Sequence, residues 1–86
     1  MEKKIGKSVF YKKQFLRLPK EDKEAVVEME KRVVAGTLDI KHRIFKTNCW
    51  AVFVKYGATE NIVVYFEENE EAVKFLNLEW FTFGDT

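Results

Sequence analysis

Two hydrophobic periods divide the chain at Gly36. Before it, Val26, Met29 and Val33 recur at helical spacing, with Val27 and Val34 seven apart beside them. Pro19 precedes this run, and Lys20-Glu21-Asp22-Lys23-Glu24 sets acids into a first turn, where the helix dipole favours them. Lys31 and Arg32 stand near the other end, and Gly36 suits the left-handed residue that closes a helix. The spacing therefore predicts a helix from Pro19 to Gly36. A shorter helix is expected over Phe10 to Leu18, because Phe10, Tyr11, Phe15, Leu16 and Leu18 fit a helical period better than alternation. Upstream, Ile5, Lys7 and Val9 alternate within Lys3 to Val9 and permit an edge strand.

After Gly36 the period changes to two. Cys49 to Tyr56, Asn61 to Phe66 and Ala72 to Phe83 are rich in Val, Phe, Trp and Tyr, the side chains that pack best on a pleated surface. Gly57-Ala58-Thr59-Glu60 and Glu67-Glu68-Asn69-Glu70 read as hairpin connections, and a short strand is expected around His42 to Lys46. The order is strand, helix, helix, then an antiparallel meander. It predicts an α+β domain, with an N-terminal strand and two helices packed on one face of a mainly antiparallel sheet. No linker or repeat interrupts residues 1–86, which read as a single domain. Val26, Met29 and Val33 should pack against Trp50, Val52 and Val54. A sheet covered on one face should alternate apolar and polar residues. Trp50-Ala51-Val52-Phe53-Val54 and Ile62-Val63-Val64-Tyr65-Phe66 are instead apolar at successive positions. Two helices cover only one face, so Ala51, Phe53 and Phe81 become candidate protein-interface residues, for self-association or for a partner.

Composition narrows the function classes. The chain is 47% hydrophobic and carries eight Phe, which is enough for one core. A net charge of +1 excludes a uniformly basic nucleic-acid coat, yet the charge is uneven: residues 1–46 hold +6 and residues 47–86 hold −5. One Cys and one His exclude a disulfide framework and a Cys/His zinc site, and no metal or cofactor is expected. Without a long apolar run or a signal-like N-terminus, a cytoplasmic protein with no membrane partner is expected.

Lys41-His42-Arg43 with Lys46 is the densest basic cluster beside the strands, suited to phosphate contact. His42 is the one side chain whose ordinary pKa lies near neutrality. An ordinary solvated loop is the plainer reading. Cys49 with His42 could form a nucleophile and base, although a small packed Cys is commoner. Glu67, Glu68, Glu70 and Glu71 read as a solubilising turn. Trp50, Phe53, Trp80, Phe81 and Phe83 could stack bases, but the last two strands lack interleaved cations.

Lys12-Lys13-Gln14-Phe15-Leu16-Arg17-Leu18-Pro19-Lys20-Glu21, the helix running to Gly36, Phe45-Lys46-Thr47 and Ile62-Val63-Val64-Tyr65 together resemble the RelE/ParE superfamily of bacterial and archaeal toxins over residues 3–83. The resemblance implies a RelE-like fold and the toxin half of a toxin–antitoxin pair, acting on translation or replication. Its partners would be an antitoxin-like protein, or the ribosome and its RNA. Members that cleave messenger RNA project Lys, Arg, Tyr or His from the sheet, to activate the 2′-hydroxyl and neutralise phosphate charge. Here those positions fall near Ala51, Phe53, Ile62 and Phe81, all apolar. Lys46 and Lys55 survive as outer basic positions, so Lys41, Arg43, Lys46 and Lys55 are the candidate nucleic-acid contacts, with His42 the catalytic candidate. The resemblance thus implies an endoribonuclease scaffold with a degenerate site. The alternative is a non-catalytic protein-binding or inhibitor module that dimerises or caps a partner through an apolar sheet face.

Overall fold

A computed structural model describes residues 3–38, 41–44 and 48–82. Its elements are β1 (Lys4–Lys7), α1 (Val9–Arg17), α2 (Lys20–Ala35), β2 (His42–Arg43), β3 (Cys49–Tyr56), β4 (Glu60–Glu68) and β5 (Ala72–Thr82). The five strands form one mixed sheet in the order β1-β5-β4-β3-β2. β1 runs parallel to β5 and every other pair is antiparallel, giving the α+β class that the two periods predict.

Local chemistry sets the helix ends. Ser8 caps α1, its hydroxyl oxygen accepting from the Tyr11 N–H at 3.1 Å, which starts the helix one residue earlier than its apolar pattern suggests. Gly36 closes α2 at φ 73°, a left-handed conformation that costs a side chain with a Cβ extra strain. Thr37 then donates to the Arg32 carbonyl at 3.0 Å, capping one of the last free carbonyls.

Both helices lie on the same face of the sheet. Tyr11 of α1 stacks on Phe75 of β5 with ring centroids 5.3 Å apart, and Phe66 of β4 tilts against the same ring at 5.9 Å. Val26, Met29 and Val33 of α2 are buried in one cluster with Val52, Ile62, Val64, Phe66, Val73, Phe75 and Leu78. Trp50 and Val54 pack against that cluster while partly exposed.

Two β-bulges break the regular alternation of the strands. In β3, Phe53 pairs with Val63 and Lys55 with Ile62, leaving Val54 as the extra residue. In β5, Asn77 pairs with Tyr65 and Phe75 with Phe66, leaving Leu76 extra. Each bulge shifts the alternation by one and turns the following residues to the opposite face. The core side of β5 is therefore Val73 and Phe75 before the bulge, then Leu78 and Trp80 after it. Ser8 donates its hydroxyl to the Leu76 carbonyl, so the cap of α1 also satisfies a bulge.

Candidate functional site

Three constellations bring the sequence-predicted residues together, and the first two sit at opposite ends of β4. At the Glu68 end, Lys3 and Lys41 each donate to this carboxylate at 2.8 Å, one to each oxygen. The Lys41 ammonium also lies 4.4 Å from the Trp50 ring centroid, with the Arg43 guanidinium 6.0 Å from the same ring. Burial alone would raise the Glu68 pKa. The bonds from Lys3 and Lys41 outweigh it and hold the carboxyl below its ordinary value. Glu68 is thus not a solubilising turn residue, since β4 continues through it and its side chain is largely covered.

At the Glu60 end, Asp22 enters from the first turn of α2 and is only 4% exposed. Lys55 lies 3.3 Å from it and also pairs with Glu60, which accepts from the Trp80 indole N–H at 2.6 Å. Burial pushes the Asp22 pKa up, and hydrogen bonding with Glu60 adds to this against the pull of Lys55. Glu60 shifts down, chiefly because Lys55 and Trp80 stabilise its anion. The sequence places Lys55 two residues beyond Phe53, on its face, and so on the helix-free side. The bulge at Val54 turns it onto the helix side instead. There it serves two carboxylates rather than an incoming phosphate. The two ends of β4 lie eight residues apart, roughly 26 Å, so Lys55 and Lys41 do not converge on one ligand.

The third constellation is the helix-free face. Strand register places His42, Ala51, Tyr65 and Asn77 in one row, Phe53, Val63 and Glu79 in the next, and Asn61 with Phe81 beyond them. Phe53 is 47% exposed and Phe81 43%, while Val63 is buried without any helix above it. His42 and Tyr56 each meet the Phe53 ring edge-on, at 6.4 and 5.3 Å. Burial first, then a bond with Glu79, raises the Tyr65 pKa. Cys49 shares this face with His42, but His42 pairs with Ala51, two residues along β3 from Cys49.

Ala51, Phe53 and Phe81 therefore lie where their sequence pattern puts them, on the uncovered face. Ile62 does not: it is fully buried on the helix side, and its neighbours Asn61 and Val63 face outward. Lys46 and Phe83 fall outside the described residues. Sequence reading missed Asp22, Glu60 and Trp80 as partners of Lys55. One usable signal was the alternation of β5, which changes phase between Phe75 and Leu78 and so marks a bulge. No protein-family model, curated protein or solved structure matches the chain. Among the described residues, no helix is long and apolar enough to cross a membrane.

Proposed function

We propose that this chain is a RelE/ParE-like domain whose work is protein binding rather than RNA cleavage, and that its helix-free sheet face is the contact surface. One observation carries the reading. The described candidate cations Lys41, Arg43 and Lys55 lie on the helix side, at Glu68 and Trp50 or at Asp22 and Glu60, while the uncovered face presents Phe53 and Phe81. RNA cleavage needs cations gathered within hydrogen-bond reach of one phosphate, next to a base for the 2′-hydroxyl. A protein contact needs an apolar, aromatic centre with a polar rim, and Asn61, Asn77 and Glu79 supply that rim. The element order, with two helices preceding an antiparallel meander, agrees with the resemblance in the sequence.

The occupant of this face is a second copy of the chain. Glu67, Glu79 and Lys74 share the face, so it carries both signs of charge, which two copies related by a two-fold axis can pair. Sedimentation at micromolar concentration should show a dimer that Phe53→Lys converts to a folded monomer. Primer extension on bulk messenger RNA after induced expression should show no codon-phased cuts. A monomeric parent that binds no hydrophobic dye overturns the interface. Cuts that vanish in Lys41→Ala or Arg43→Ala overturn the non-catalytic reading.

A further inference from the structure

The β1 edge of the sheet offers a second surface, which adjoins the helix-free face at Lys74. β1 is an edge strand with β5 on one side only. Lys4 donates to the Glu71 carbonyl and Ser8 to the Phe75 carbonyl, both at 2.9 Å. In a parallel ladder successive residues point their backbone groups to alternate sides. Ile5 and Lys7 therefore direct their N–H and C=O groups away from β5, toward the open edge. An edge of this kind is a template for another strand unless something blocks it.

The two faces of that edge differ in chemistry. On the helix side a groove of about 610 Å³ runs between β1 and α2, with Ile5, Val27, Val34 and Ala35 as its apolar lining and Lys31 at its rim. Ile5 is 55% exposed there, because its register partner Val73 occupies the core and no described strand lies outside it. On the other side, Gly6 pairs with Lys74 and has no side chain, and the Lys74 stem lies where a Cβ of residue 6 would meet it at 3.5 Å. Lys74 thus packs its stem beside Gly6, on the face that also carries Lys4. Among the described residues Lys4, Lys31 and Lys74 make no ion pair, whereas Glu30, the acid in the groove, is already bonded to Lys7 and Tyr11.

We propose that the free edge of β1 binds an extended segment of a partner protein in which apolar and acidic residues alternate. The strand pairs through the outward groups of Ile5 and Lys7. Its apolar side chains enter the groove, and its acids face Lys4 and Lys74. A nucleic acid would use the lysines but not the apolar groove or the backbone edge, which is why the peptide is favoured.

The probe is a labelled eight-residue peptide alternating Val and Glu, titrated by fluorescence anisotropy against the full chain. Saturable binding is expected, with slowed amide exchange at Ile5 and Lys7 and little change at Lys4 and Gly6, which are already turned to β5. Ile5→Lys, and Lys4→Glu combined with Lys74→Glu, should each weaken binding about tenfold or more with circular dichroism unchanged. If one variant unfolds, the other carries the test. No saturation up to about 1 mM peptide overturns the proposal. So does equal binding of a Val/Lys peptide, unchanged exchange at Ile5 and Lys7, or tighter binding of an oligouridylate that the same lysine reversals abolish.

Discussion

Val33 is the sharpest test of how α2 meets the sheet. It is 3% exposed in the cluster formed with Val26, Met29 and Val52. Replacing it with Asp removes a buried apolar side chain, a loss of about 1.5–3 kcal/mol. The new carboxylate is also stripped of water with no cation assigned to it, and such a group typically takes a pKa raised by about 3–5 units. A folded pKa near or above 7 leaves the carboxyl protonated in the fold, so at pH 7 only the roughly 3 units above its unfolded value of about 3.9 count, and at 1.36 kcal/mol per unit they add about 4 kcal/mol. A chain of 86 residues has a total stability of about 4–13 kcal/mol, so Val33→Asp should lose about half of it or more at pH 7. Val27→Asp, one turn and a half away on the exposed side of the same helix, should cost far less. Thermal melts followed at 222 nm compare the two. The sign of the pH dependence gives a second check. A carboxyl with a raised folded pKa destabilises above its unfolded value, so the deficit of Val33→Asp against the parent should shrink as pH falls from 7 toward 5. A Val33→Asp variant that melts within a degree or two of the parent would mean that this face of α2 is not in the core.

Further outcomes follow from the same contacts. Glu68→Gln should flatten the acid limb of the stability curve. The lowered carboxyl pKa stabilises the fold above its unfolded value of about 4.3 and the gain is lost as pH falls through the folded value, so urea titrations of parent and variant should converge at the acid end of the curve. Gly36→Ala should cost about 1–2 kcal/mol in urea denaturation, because Ala at φ 73° is strained, and an unchanged midpoint would mean that α2 ends differently. Tyr11→Phe removes the bond to Glu30 but leaves Lys7 on that carboxylate; it should cost about 0.5–1.5 kcal/mol in the same assay and keep the ring packing on Phe75.

Both helices and all three long strands were legible, because Val26, Met29 and Val33 keep helical spacing and the later runs are rich in Val, Phe, Trp and Tyr between turn-like segments. Element ends were less so. The Ser8 cap draws α1 back to Val9, and β4 runs on through Glu67 and Glu68, where acid-rich composition suggested a turn. The phase slips at Val54 and Leu76 are each a single extra residue inside an apolar run, where either face looks acceptable. That ambiguity decides the site: one slip turns Lys55 from the open face to Asp22 and Glu60. The pairing of Lys3 with Glu68, 65 positions apart, leaves no local trace either.

The parallel ladder between the first strand and the last also constrains how the chain reaches its fold. Ser8 and Leu76, which bond to each other, are 68 positions apart, and among the described residues β1 has no other strand neighbour. On the ribosome, α1 and α2 leave first, carrying Tyr11, Leu18, Val26, Met29 and Val33 with no sheet to pack on. Synthesis at roughly 5–20 residues per second then takes several seconds to complete β5. Through that interval the helix pair must stay soluble on its lysine-rich surface. Closing so long a loop is entropically slow, and the ladder gains nothing until it shuts. The basic first half and the acidic second half then meet through Lys3 and Lys41 on Glu68, so the charge asymmetry along the chain becomes attraction between its two halves as the sheet closes.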